Sequence, residues 1–415
     1  MPCTKRLAKS KQAASGLSTA DTETEISSSS DDESLPLPPI LIDADCVNRI
    51  FEFLEYAAVV RCAAVCSTWR SAVRAKLQEW SLVETEYGHA VRGTSGKAPG
   101  QFRCPGALAP LPGGGLALVD LHNNRIQCLS SCVTRAAASG AIRPIDVKST
   151  FKALKDRSQP FRGPTSAVAD GSGGLLVADS QSHSLFRLSS TGTVLATFGR
   201  HGSKADELCE PEGMALDEDG KLYIADSGNH RISVVSTRRG CPGSLSPITW
   251  FGGMGVGDGL LSMPYGVAVA KQEDGGLVYV ADTGSNRLCV FTRSGNFVKS
   301  LGSSSGRSRL PGRMRCPRSL IAVHGHLIVV EESRLQVLAL PNGEVRQVIE
   351  FGAGPDGIAP ASSGSGARVF PSAQVLEEEE DRASLWGVAA DSERVYVSDH
   401  QRNRLHVFRL KKKVM

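Results

Sequence analysis

The sequence predicts a mainly β fold: a six-bladed β-propeller preceded by a small three-helix module. Three observations lead there. A strand-turn-strand unit recurs six times between residues 100 and 410, with an acidic anchor at Asp120, Asp179, Asp226, Asp282, Glu331 and Asp399. The steps between anchors run from 47 to 68 residues, the spacing of a repeat in which each unit is one supersecondary element. Glycine occurs 43 times in 415 residues, which suits many tight turns.

The clearest copy begins Pro211-Glu212-Gly213-Met214-Ala215 and continues Leu222-Tyr223-Ile224-Ala225-Asp226, with Asn229 and Arg231 after the turn. The next repeats it as Pro264-Tyr265-Gly266-Val267-Ala268, then Val278-Tyr279-Val280-Ala281-Asp282, with Asn286 and Arg287. Units at Leu116–Ile126, Leu175–Leu185, Leu327–Leu335 and Val395–Leu405 complete the set; Ser184 stands where the second copy should have Arg, and the fifth is two residues short. A further strand often follows and ends in an aromatic residue or Leu and then glycine, as in Thr197-Phe198-Gly199 and Trp250-Phe251-Gly252. Four strands per unit, radially repeated, make a propeller blade. The second strand is almost continuously apolar, as expected where both faces are buried.

The sixth copy ends near Leu410 without a fourth strand. Residues 81–88, Ser-Leu-Val-Glu-Thr-Glu-Tyr-Gly, have the pattern of one, so they are expected to complete the last blade and leave no open edge. The domains are then a disordered tail at 1–34, a helical module at 35–80 and a propeller at 81–415. The tail is rich in Ser, Thr, Lys and Asp and too poor in apolar groups to offset the entropy of ordering. Insertions at 131–162 and 353–384 read as irregular loops, the second Gly/Ser-rich and then acidic.

In the module, Leu35-Pro36-Leu37-Pro38-Pro39 sets an extended entry and Asp43 or Asp45 can cap the helix that follows. Val47, Ile50, Phe51 and Leu54 fall at i, i+3, i+4, i+7, one apolar stripe. Two more short helices carry Val59 to Ala64 and Val65 to Val73. So small a core, with so many large apolar groups, points to burial completed against a partner.

Leu37-Pro38, the Ile50/Phe51/Leu54 stripe, Val65-Cys66-Ser67-Thr68-Trp69-Arg70 and the distal Trp80 together resemble the F-box, although the usual Glu after Leu-Pro is missing. The repeated units are similar to NHL repeats, whose hallmark is Pro-x-Gly-hydrophobic-Ala followed by Val-Ala-Asp-x-x-Asn-x-Arg. The joint resemblance implies a substrate-recognition adaptor of a Skp-cullin-F-box ubiquitin ligase. Pro38, Val47, Ile50, Phe51, Leu54, Val65 and Trp69 would serve the module's core or dock a Skp-type adaptor, and through it a cullin. The propeller would hold a protein target. The alternative is an RNA-binding NHL propeller with a helical cap.

Recurrence assigns Asp120, Asp179, Asp226, Asp282 and Asp399 a structural part, accepting backbone N–H bonds in the turns they begin. Arg125, Arg231, Arg287 and Arg404 read as their inter-strand ion partners. The sharpest local charge is Arg307, Arg309, Arg313, Arg315 and Arg318, five arginines in twelve residues. Arginine forks suit carboxylate and phosphate, so this loop is a candidate target-binding feature. No catalytic constellation is expected, because the nine histidines do not recur at one blade position. No cofactor or metal is expected either: Cys62/Cys66 and Cys128/Cys132 lack second ligand pairs.

Net charge is only +4, which imposes no nucleic-acid role. Eleven cysteines without regular spacing read as reduced thiols, which with the lack of an apolar leader or spanning run suggests a cytoplasmic or nuclear protein and no membrane.

Overall fold

A computed structural model describes residues 84–92, 94–131, 147–152, 161–171, 173–237, 245–302, 311–351 and 383–411. The expected tail (1–34), the helical module (35–80) with its adaptor-binding residues, and most of the two insertions lie outside the described residues.

The described chain builds six four-stranded antiparallel sheets, the blades of a mainly β propeller. Blade one comprises Pro105–Pro110, Leu116–Asp120, Arg125–Leu129 and Val147–Lys152. Blade two is Pro164–Ala169, Leu175–Asp179, Ser184–Leu188 and Val194–Phe198, and blade three Pro211–Leu216, Lys221–Asp226, Arg231–Ser236 and Ser246–Gly252. Blade four is Pro264–Val269, Val278–Asp282, Arg287–Phe291 and Phe297–Gly302, and blade five Ser319–Val323, His326–Val330, Arg334–Ala339 and Glu344–Glu350. Blade six takes Leu385–Ala390, Arg394–Asp399 and Arg404–Lys411, and its fourth strand is Glu84–Arg92. That strand runs antiparallel to the third, with Glu84 opposite Lys411 and Arg92 opposite Arg404, and a register shift between Tyr87 and His89. It covers 84–88 of the stretch read as a closing strand and runs four residues further; 81–83 lie outside the described residues.

One segment read as irregular is not wholly so. Val147–Lys152, within the insertion at 131–162, is the outer strand of blade one and pairs with Arg125–Leu129. Its apolar residues, Val147 and Phe151, are separated by the polar Lys148-Ser149-Thr150, too weak an alternation to announce a strand.

The core lies between blades rather than within them. Among the described residues six apolar clusters form, one at each seam. Ile126 and Phe151 of blade one, for example, meet Leu175 and Phe186 of blade two. Leu116 and Leu118 of blade one meet Tyr396 and Val407 of blade six, so the last seam is packed like the others. The second strands are buried on both faces, as in the wholly buried run Leu116–Asp120, which is why their pattern is continuous rather than alternating. Each inner strand packs on the next around the ring, and that of blade six returns to blade one.

The glycine of the Pro-x-Gly motif has a steric reason. A Cβ on Gly213 would stand 2.5 Å from the Tyr265 carbonyl oxygen of the next blade. The corresponding distances are 2.6 Å from Gly266 to the Arg318 carbonyl and 2.6 Å from Gly387 to the Gly106 carbonyl. Neighbouring inner strands approach so closely here that only hydrogen fits.

Candidate functional site: the motif face and channel mouth

The acidic anchors act on more than their own turns. In every blade the carboxylate accepts a backbone N–H from the residues leading into that blade's inner strand. The donors are Arg103 to Asp120 (2.7 Å), Arg162 to Asp179 (2.7 Å) and Cys209 to Asp226 (2.7 Å). Blades four to six add Ser262 to Asp282 (2.6 Å), Arg315 to Glu331 (2.8 Å) and Ser384 to Asp399 (3.3 Å). The expected bond within the anchor's own turn is present at Asp179, from Ser182, and at Asp399, from Arg402.

The motif arginines form buried ion pairs: Arg125–Asp120 at 2.7 Å, Arg231–Asp226 at 2.7 Å and Arg287–Asp282 at 2.8 Å. Their remaining donors reach the loop arriving from the preceding blade; Arg231, for instance, binds the carbonyls of Ser203, Lys204 and Glu207. In blade five Arg334–Glu331 substitutes at 3.0 Å, spaced three residues apart, which accounts for the shortened copy. Arg404 lies opposite Asp399 in the strand register.

A second repeating link was not read from the sequence. The residue before the motif arginine, or before Ser184 in its place in blade two, is left-handed in five blades (Asn124, His183, His230, Asn286, Asn403), with φ of 49° to 55°. In four of them its side chain accepts a backbone N–H from the next blade's entry. The pairs are Glu210 to His183 Nδ1 (3.0 Å), Met263 to His230 Nδ1 (3.0 Å), Cys316 to Asn286 (2.9 Å) and Cys104 to Asn403 (2.9 Å). The only sequence signal was the restriction of this position to Asn and His, residue types that tolerate left-handed backbone.

All these loops share one face, and the inner strands open there into a central cavity of about 510 Å³. In blades two to six the middle residue of Pro-x-Gly or its equivalent lines it: Thr165, Glu212, Tyr265, Arg318 and Trp386 in blade order. The chemistry is concentrated on blades three to six. Burial, reinforced by the Glu210 charge, pushes the Glu212 carboxyl up to about 8. Burial and the Glu212 charge raise the Tyr265 hydroxyl. The Arg318 guanidinium sits 4.8 Å from the Trp386 ring centre and donates to Ser384 Oγ and the Leu385 carbonyl, each at 3.3 Å. Tyr265 meets Trp386 edge-on at 6.3 Å, and His400 stacks on it at 5.0 Å. Burial, with the nearby His122 and Arg318 charges, lowers His400 to about 4. His122 and His400 meet at 5.9 Å although 278 residues separate them.

Of the five arginines singled out as a basic loop, Arg307 and Arg309 lie outside the described residues. The other three take different partners. Arg313 is exposed, and its carbonyl accepts from Arg334 and Gln336. Arg315 pairs with Glu332 at 3.3 Å. Only Arg318 among them stands at the channel mouth. The same face carries an apolar ridge in the loop between blades three and four, where Met254 and Val256 are 79% and 68% exposed. No helix among the described residues is long and apolar enough to cross a membrane.

Comparison with known proteins fits both halves of the chain. The F-box domain model matches residues 41–77 and the NHL repeat model residues 208–235, which take in the first two strands of blade three and all but the last residue of the third. The chain is similar to the Protein brain tumor of Drosophila melanogaster, 26% identical over 150 residues, 36% of this chain but only 13% of that protein. Solved structures resembling it include a streptogramin B lyase (12% identity, 79% of this chain and 99% of that one, TM-score 0.47). Another is XC5397, a gluconolactonase from Xanthomonas campestris (15% identity, 79% and 89%, TM-score 0.47). At such identities and scores no activity passes to this chain. The chain thus joins an F-box match to a propeller with an NHL-repeat match, the domain pairing of an F-box/NHL-repeat protein.

Proposed function

We propose that this protein is the substrate-recognition subunit of a Skp-cullin-F-box ubiquitin ligase, in the cytoplasm or nucleus. Its F-box docks a Skp-type adaptor, and through it a cullin, while the propeller's channel mouth holds the protein target. The observation that supports this reading most is the juxtaposition of Glu212, Tyr265, Arg318 and Trp386 around the cavity, in a chain that also matches the F-box. A carboxyl with a strongly raised pKa in a cleft, beside a cation and two aromatic rings, has the makings of a recognition site. Trp and Arg also supply a large share of binding energy where they anchor interfaces.

The alternative of RNA draws on the same aromatic groups, since bases stack on such rings. Trp386 already carries Arg318 and His400, however, which leaves Tyr265 as the nearest open platform.

Affinity purification of the full chain with mass spectrometry tests the proposal. A Skp-type adaptor and a cullin should co-purify, and Leu54→Asp should remove both while the propeller stays folded. Trp386→Ala with Arg318→Glu should release the target and keep the adaptor. Recovery of RNA with no Skp-type adaptor would falsify the ligase reading.

A further inference from the structure

The seam between blades six and one holds a group of side chains that neither the repeat architecture nor target recognition requires. Cys104 precedes the inner strand of blade one, His122 lies in the turn after its second strand, and His400 occupies the corresponding turn of blade six. One sulfur and two imidazole nitrogens, one from each residue, all lie within 4.8 Å of one another. Among the described residues no other three Cys, His, Asp or Glu side chains converge in this way.

The three are positioned by independent devices. Cys104 is left-handed at φ 57°, and its N–H is held by Asn403 at 2.9 Å. His122 sits in the 3-10 turn Leu121–Asn123, with its N–H donated to the Arg103 carbonyl at 3.2 Å. The His400 N–H is held by the Ser384 carbonyl at 2.8 Å, and its ring lies against Trp386. Nδ1 of His400 is buried and makes no hydrogen bond among the described residues. A buried ring nitrogen without a partner costs free energy unless something occupies it.

We propose that Cys104, His122 and His400 form a zinc site that staples the first blade to the last. One thiolate and two imidazoles are a borderline-soft donor set that suits zinc better than magnesium or calcium, which take oxygen ligands. Zinc bonds run about 2.0 to 2.3 Å, so the ligand atoms must approach to roughly 3.5 Å of one another. The exposed His122 side chain can supply that movement, since solvent rather than packing surrounds it. Three protein ligands leave a fourth position, held by water in the unliganded protein. This assignment does not depend on the ligase reading.

The test uses the full chain, expressed with and without added zinc, then loaded with cobalt as a spectroscopic probe. Wild type should carry stoichiometric zinc, and its cobalt form should show thiolate-to-cobalt charge transfer and the intense visible bands of a tetrahedral ion. Cys104→Ser should abolish the charge-transfer band, and His122→Asn, an exposed substitution that spares the fold, should weaken binding by at least about 100-fold. Cys316→Ser is the control, because Cys316 fills the equivalent position of blade five without a histidine pair; it should bind like wild type. Metal-free wild type, or zinc content and cobalt spectra unchanged by both Cys104→Ser and His122→Asn, overturns the assignment.

Discussion

Asn403 of the last blade accepts a hydrogen bond at 2.9 Å from the backbone N–H of Cys104 in the first, across 299 residues of sequence. Both residues are left-handed, Asn403 at φ 50° and Cys104 at φ 57°. The pair ties the two ends of the ring on its motif face, apart from the strand pairing between Glu84–Arg92 and Arg404–Lys411. Two substitutions separate the contributions. Asn403→Gly keeps the backbone and loses the bond, and is expected to cost about 1 kcal/mol. Asn403→Val loses the bond and forces a β-branched residue into the left-handed region, costing about 2–4 kcal/mol. Chemical denaturation of the two variants should show that order.

The buried pair Arg231–Asp226 supports a larger prediction. Both side chains are almost wholly buried at 2.7 Å, and Arg231 also satisfies three loop carbonyls. Removing one partner leaves a charge buried without compensation, so Arg231→Ala should destabilise the protein by about 3–5 kcal/mol. Arg231→Lys should recover only part of this, because a single ammonium cannot reproduce the guanidinium fork. Thermal melts of the three proteins check both statements.

Gly213→Ala places a Cβ 2.5 Å from a backbone carbonyl oxygen that cannot step aside without moving the inner strand of blade four. Expected is a loss of about 2–3 kcal/mol, the scale of overpacking in a core. Gly113→Ala is a useful contrast, since a Cβ there meets nothing within 4 Å but φ is +86°. Its cost should be confined to backbone strain, of order 1 kcal/mol.

Glu212 predicts a pH dependence. Its pKa rises from the usual carboxylate value to about 8 in the folded state. Between those limits the folded protein retains a proton that the unfolded chain has released. This group's contribution to stability therefore falls as pH rises from about 4.5 to 8, and is constant outside that window. Glu212→Gln should flatten that part of the stability profile and make the variant relatively more stable at pH 8 than at pH 5. Denaturation midpoints at both pH values measure it; equal differences from wild type at the two would contradict the assignment.

Much of the fold was legible because each blade repeats one chemical pattern. The acidic anchor, followed in four blades by Arg five residues on, could be aligned without coordinates, and the continuous apolar second strands announced burial on both faces. Val147–Lys152 escaped because a strand at a blade's outer edge needs little apolar alternation. The clamp between Asn403 and Cys104 escaped because its donor is a backbone group, which leaves no mark on residue type. The channel mouth was hidden differently: Glu212, Tyr265, Arg318 and Trp386 occupy the variable position of the repeat, which alignment of copies treats as noise. The same holds for Cys104, His122 and His400, whose convergence depends on the ring closing. Local spacing, the usual signal for a metal site, was therefore silent.

The pairing of Glu84–Arg92 with Arg404–Lys411 has a mechanical consequence. Because the strands are antiparallel with Glu84 opposite Lys411, the chain enters and leaves the ring at the same end of that pair. A force pulling residues before Glu84 away from residues after Lys411 would open the pair as a zipper, one rung at a time, rather than shearing all rungs together. The ring should thus resist thermal opening far better than traction on its two ends, and an unfolding motor working from either terminus would break blade six first, leaving blades one to five as an open arc.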